Sequence, residues 1–131
     1  MLLANPPALI IWRNLKFLVM DAPSESNLPV YLGEMGRHNV VALVRVCEPT
    51  YSKAAVEALG ITLYDWVFPD GEGPPDVVID AWLELVGNTF SPSTPNEDSP
   101  DSATSTTADG PCIACHCVAG LGRYYATYYL F

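Results

Sequence analysis

Basic side chains are scarce in this sequence. Six lysines and arginines stand against 15 acidic residues, a formal net charge of −9, which excludes a nucleic-acid footprint and makes an anionic membrane surface repulsive. Long apolar runs are also missing: Ala8 to Trp12 is too short to cross a bilayer, and no other stretch approaches that length. The opening Met1 to Pro7 lacks the basic segment of a secretory signal. Cysteine is limited to Cys47, Cys112, Cys115 and Cys117, clustered rather than spread as a disulfide framework would be. Together these absences point to a reducing compartment, and a cytoplasmic location is the expectation.

What is present is hydrophobic material in short, punctuated runs. With 131 residues, half of them hydrophobic, the chain is expected to be a single domain over 1–131 with a modest core. Ala8 to Trp12 and Leu15 to Met20, separated by Arg13-Asn14, read as a hairpin. Leu28 to Arg37 reads as a helix with Leu28, Leu32 and Met35 on one face. Val40 to Val46 is a continuous, largely β-branched run, as in a strand buried on both faces of a parallel sheet. Tyr51 to Leu59 reads as a helix stopped by Gly60, and Ile61 to Tyr64 as the next strand. Pro74-Pro75-Asp76 opens a helix whose stripe is Val78, Trp82, Leu83, Leu85 and Val86. From about 91 to 110 the chain is Ser, Thr, Pro, Asp and Asn, so a disordered insertion is expected. Strand character returns at Cys112 to His116. The alternation implies an α/β fold with a mostly parallel central sheet flanked by helices.

The chemistry is concentrated in His116-Cys117-Val118-Ala119-Gly120-Leu121-Gly122-Arg123. Small residues let successive backbone amides turn inward as an anion-binding nest, and a guanidinium at the end grips phosphate oxygens in a fork. Cys117 at the mouth would lose its proton below the ordinary thiol range, and the thiolate is the nucleophilic form. Such a nest binds a small phosphorylated group at short range despite the overall negative charge.

This stretch, His-Cys-x5-Arg, resembles the signature of cysteine-based protein tyrosine phosphatases, and the fuller string is similar to the phosphatases of regenerating liver. Two upstream blocks agree: Val44-Arg45-Val46-Cys47-Glu48-Pro49-Thr50-Tyr51, and Asp65-Trp66-Val67-Phe68-Pro69-Asp70-Gly71 with Pro74-Pro75 and Trp82-Leu83. The resemblance covers about Leu9 to Arg123 and implies a dual-specificity phosphatase-like fold. It implies hydrolysis of phosphomonoesters through a cysteinyl-phosphate on Cys117, with Val118 to Gly122 and Arg123 binding phosphate. Asp70, aligned with the second aspartate of the family's Trp-Pro-Phe-Asp-Asp-Gly loop, is the implied general acid. Pro69 and Val67 depart from that loop's pattern. The resemblance further implies a reversible disulfide between Cys47 and Cys117, and phosphorylated proteins or small phosphomonoesters as substrates. It also implies a magnesium-transport membrane protein as a partner. No metal or organic cofactor is required.

After Arg123 the resemblance stops. The family continues into further helices and a prenylated cysteine; Tyr124 to Phe131 is aromatic and short, so truncation after the signature loop, no direct membrane anchor and an open sheet face are the expectations. A catalytically impaired binding module and an incomplete product are the alternatives to an active enzyme. Cys112-Ile113-Ala114-Cys115-His116 also matches c-type haem attachment, although it sits in an apolar run entering the loop. A zinc site at Cys112, Cys115, His116 and Cys117 would need ligands that alternate across a strand to converge.

Overall fold

The computed structural model describes residues 6–46, 49–68, 74–90 and 110–116. Five strands form one sheet in the order β1-β2-β5-β3-β4, with β1 Ala8–Trp12, β2 Leu15–Met20, β3 Val40–Arg45, β4 Thr62–Asp65 and β5 Cys112–His116. Only the β1–β2 pair, closed at Arg13-Asn14, is antiparallel; β2, β5, β3 and β4 run parallel. Parallel neighbours require crossovers, and the helices supply them: α1 Leu28–Arg37, α2 Lys53–Glu57 and α3 Asp76–Phe90.

Alternation along the strands divides the interior into two cores. On one face α3 sets Trp82, Leu85 and Phe90 against Phe17, Val19, Val44, Ile113 and Cys115. Phe17 stacks on Trp82 at 5.5 Å between centroids and meets Phe90 edge-on at 5.4 Å. On the other face α1 contributes Leu28, Tyr31 and Met35, and α2 contributes Val56, against Leu18, Met20, Leu43, Leu63, Cys112 and Ala114. β5 is therefore buried at every residue. Each such aliphatic side chain contributes about 1.5–3 kcal/mol through burial.

Three local expectations are adjusted. Leu83, read as part of the α3 stripe, is 60% exposed, because it lies one residue, or about 100°, past Trp82 on the helix. β3 is not covered along its whole length: a bulge between Val40 and Ala42 sets two of its residues against one step of β5, and Val41 is left exposed. The helix expected from Tyr51 is shorter, since Ser52 accepts a hydrogen bond from the Ala54 amide at 3.2 Å and caps it. At its far end Gly60 takes φ +84°, the left-handed geometry glycine adopts without strain. The insertion expected at about 91–110 lies, apart from Gly110, outside the described residues. Among the described residues no helix is long and apolar enough to cross a membrane.

Candidate active site at the strand carboxyl ends

The carboxyl ends of β3, β4 and β5 lie side by side, which is where parallel α/β sheets bind ligands. Arg45, the last residue of β3, pairs across the ladders with His116 of β5 and Asp65 of β4. Backbone bonds continue past these pairs: the Val46 amide donates to the His116 carbonyl at 3.3 Å, and the Trp66 amide to the Arg45 carbonyl at 2.9 Å. The chain then leaves β3 toward Cys47, β4 toward Asp70 and β5 toward Cys117. Cys47, Asp70, Cys117, Val118, Ala119, Gly120, Leu121, Gly122 and Arg123 themselves lie outside the described residues.

Beneath these strand ends is a polar network that sequence reasoning did not single out. The Arg45 guanidinium is buried and forks onto Asp65, Nε to Oδ1 at 2.5 Å and Nη2 to Oδ2 at 2.9 Å. Its third nitrogen, Nη1, donates to the Tyr51 carbonyl at 3.1 Å, and the cation lies 4.7 Å from the Tyr51 ring centroid. The Tyr51 hydroxyl in turn sits 2.5 Å from Nε2 of His116, which is fully buried. The fork raises the Arg45 pKa and holds Asp65 below the usual carboxylate range, so both remain charged around neutrality. A second tie comes from Thr50, whose hydroxyl donates to the Pro23 carbonyl at 2.6 Å and fastens the segment before Tyr51 to the loop after β2. The sequence did carry one signal for the network. Arg45 is the only charge in the apolar run Val40 to Val46, and a buried guanidinium requires a carboxylate and further acceptors.

The haem-like pattern is resolved by strand geometry. Cys112 packs in the α1–α2 core and Cys115 in the α3 core, on opposite faces of β5. One porphyrin cannot bond to both through this sheet. Among the described residues no three His, Cys, Asp or Glu side chains cluster in a way that could hold a metal ion. Burial pushes the Cys112 thiol up to about 12, the nearby Lys16 charge offsetting this only in part, so Cys112 is an inert packed side chain. A raised folded-state pKa favours the neutral thiol in the fold, and that stability is complete below the unfolded thiol pKa and lost as pH rises toward the folded value. Unfolding free energy is therefore expected to fall above the ordinary thiol range by up to about 1.4 kcal/mol per pH unit from this group. Urea titrations across that range, with Cys112→Ala losing this part of the slope, check it.

An open groove of about 470 Å³ lies on the α3 face beside the β3–β4 edge, lined by Val41, Thr62, Tyr64, Trp66 and Leu85 among others. It is on the opposite face of the sheet from the Arg45 network.

Comparison with known proteins decides the family. A type IVA A protein tyrosine phosphatase of Dictyostelium discoideum is 40% identical over 92% of this chain, and protein tyrosine phosphatase type IVA 3 of Bos taurus is 38% identical over 89%. The solved structure of a protein tyrosine phosphatase from Leishmania major superposes with a TM-score of 0.70 at 36% identity, over 88% of this chain and 70% of its own. The chain belongs to the type IVA protein tyrosine phosphatases. Its mixed sheet between helices is the dual-specificity phosphatase-like fold of this family. A more distant solved structure, Tk-PTP, shares the fold at 18% identity and a TM-score of 0.52. No family model matches the chain. The chain spans 64% of the Dictyostelium relative and 59% of the bovine one.

Proposed function

We propose that this type IVA chain hydrolyses phosphomonoesters on proteins through a cysteinyl-phosphate. The observation that carries the reading is the junction of β3, β4 and β5. Their adjacent carboxyl ends, bonded through Arg45, His116, Val46 and Trp66, are the points from which the three family blocks depart. In this mechanism the Cys117 thiolate attacks phosphorus, the ester P–O bond breaks, and Asp70 delivers its proton to the departing oxygen. Water, deprotonated by the same carboxylate, then attacks phosphorus, the S–P bond breaks, and inorganic phosphate and the thiolate are released. The amides of Val118 to Gly122 and the Arg123 fork hold the equatorial oxygens and stabilise charge in both transition states.

The redox latch between Cys47 and Cys117 belongs to the same proposal. It is supported by the β3–β5 register, in which Arg45 pairs with His116 and the Val46 amide bonds the His116 carbonyl, Val46 preceding Cys47 and His116 preceding Cys117 in sequence, across a strand spacing of about 4.8 Å. Phosphoproteins are the proposed substrates, a magnesium-transport membrane protein a proposed partner, and the cytoplasm the proposed location. The test is hydrolysis of an aryl phosphate by reduced protein. Turnover dependent on Cys117 supports the reading, and a folded chain without turnover overturns it.

A further inference from the structure

We propose that Arg45 is a positioning residue for the reactive end of β5, acting through Tyr51 on His116 with Asp65 as its counter-ion. The proposal rests on the phosphatase reading only in giving His116 a reactive neighbour, Cys117, to orient.

The segment carrying Tyr51 lies between β3 and α2, outside either ladder or helix. Its place against β5 depends on side-chain contacts, and Arg45 supplies two of them at once. Nη1 takes the Tyr51 carbonyl at 3.1 Å, and the guanidinium face covers the ring at 4.7 Å. Backbone and ring are thus both fixed, which sets where the hydroxyl points. It points at Nε2 of His116, 2.5 Å away. The two other nitrogens are committed to Asp65, so the plane of the guanidinium is itself determined by β4. A chain of contacts therefore runs from Asp65 through Arg45 and Tyr51 to the residue bonded directly to Cys117.

Arg45 is an expensive way to fill that space. A buried guanidinium carries a large desolvation cost, and an apolar side chain of similar volume often gives equal or greater stability. Lysine would retain the charge but not the arrangement, because one ammonium cannot grip both carboxylate oxygens, reach the Tyr51 carbonyl and cover its ring. Among the described residues, the charged and polar groups tied to His116 through this chain of contacts include Tyr51, Arg45 and Asp65, with Lys53 adding positive charge toward Asp65. Arg45 contacts both Asp65 and Tyr51.

The test compares the wild type with Arg45→Lys, Tyr51→Phe and the double variant. The first readout is the long-range 1H–15N spectrum of the His116 imidazole. The second is the rate of iodoacetamide alkylation of Cys117, followed by mass spectrometry below neutral pH. Arg45→Lys is expected to shift the His116 resonances and to slow alkylation by about threefold to tenfold, the worth of one positioned hydrogen bond. Tyr51→Phe should reproduce both effects, and the double variant should add nothing to Tyr51→Phe alone. Where Arg45→Lys does not fold, Asp65→Glu keeps the charge pair while displacing the fork, and the same shifts are expected at smaller size. A folded Arg45→Lys or Asp65→Glu whose His116 spectrum and alkylation match the wild type overturns the proposal, as does additivity in the double variant. Failure of the phosphatase reading has a separate signature. Wild-type Cys117 would then alkylate no faster than the same peptide in the denatured chain, while the His116 spectra still decide the role of Arg45.

Discussion

Cys117→Ser is expected to remove aryl phosphate hydrolysis by at least about 10⁴-fold while leaving the fold unchanged. A serine hydroxyl is the same shape to within a few tenths of an ångström but is not ionised near neutrality. In the proposed mechanism, the amides of Val118 to Gly122 and Arg123 lower the pKa of a thiol, and such a site cannot lower a hydroxyl's far enough to supply an alkoxide. The proposed phosphate site draws its affinity for an anion from amides and a guanidinium, not from the sulfur. Tungstate should therefore still bind the variant, which isothermal calorimetry measures beside steady-state turnover. Loss of turnover with retained tungstate binding places the chemistry on the sulfur. Residual turnover close to wild type in the variant shows that the hydrolysis arises elsewhere, and the cysteinyl-phosphate mechanism is then wrong for this chain.

Much of the architecture was legible because its signals are local. β1, β2, α1 and β5 begin and end at the residues expected for them. Each is bounded by a turn or a break in apolar period that needs no knowledge of neighbours. The start of α2 was misjudged for the opposite reason. Tyr51 fits the apolar pattern of the following helix, but Arg45, six residues earlier, and His116, 65 residues later, hold it outside, and no window of sequence contains both. Leu83 shows a smaller version of this limit, since composition marks a residue as apolar without saying whether it falls inside the stripe. At the site, the motifs were readable as motifs. The polar network under them was not, because the link between Arg45 and Asp65 depends on β3–β4 register. That register follows from tertiary packing and not from the spacing of the two residues.

The Arg45–Asp65 pair is also expected to respond unequally to removal of its two members. Arg45 is the buried partner, its side chain 3% exposed against 36% for Asp65. Asp65→Ala leaves a guanidinium in the interior with no carboxylate, an arrangement that costs about 3–5 kcal/mol when it cannot be relieved. Arg45→Met leaves a carboxylate that already touches solvent and can rehydrate, while the flexible thioether fills much of the vacated volume. The loss there is confined mainly to the Tyr51 carbonyl's donor, about 1 kcal/mol. Acid should expose the same asymmetry. Asp65 has a depressed folded-state pKa, so its contribution is present above the ordinary carboxylate range and is lost as pH falls through the folded value. The wild type should thus lose stability on acidification more steeply than Arg45→Met, in which the pair no longer exists. Urea unfolding of the two variants and the double variant, near neutrality and in acid, decides the matter. Equal losses for Asp65→Ala and Arg45→Met would mean that the guanidinium finds other acceptors or water once Asp65 is gone, and that the fork is not what keeps it in place.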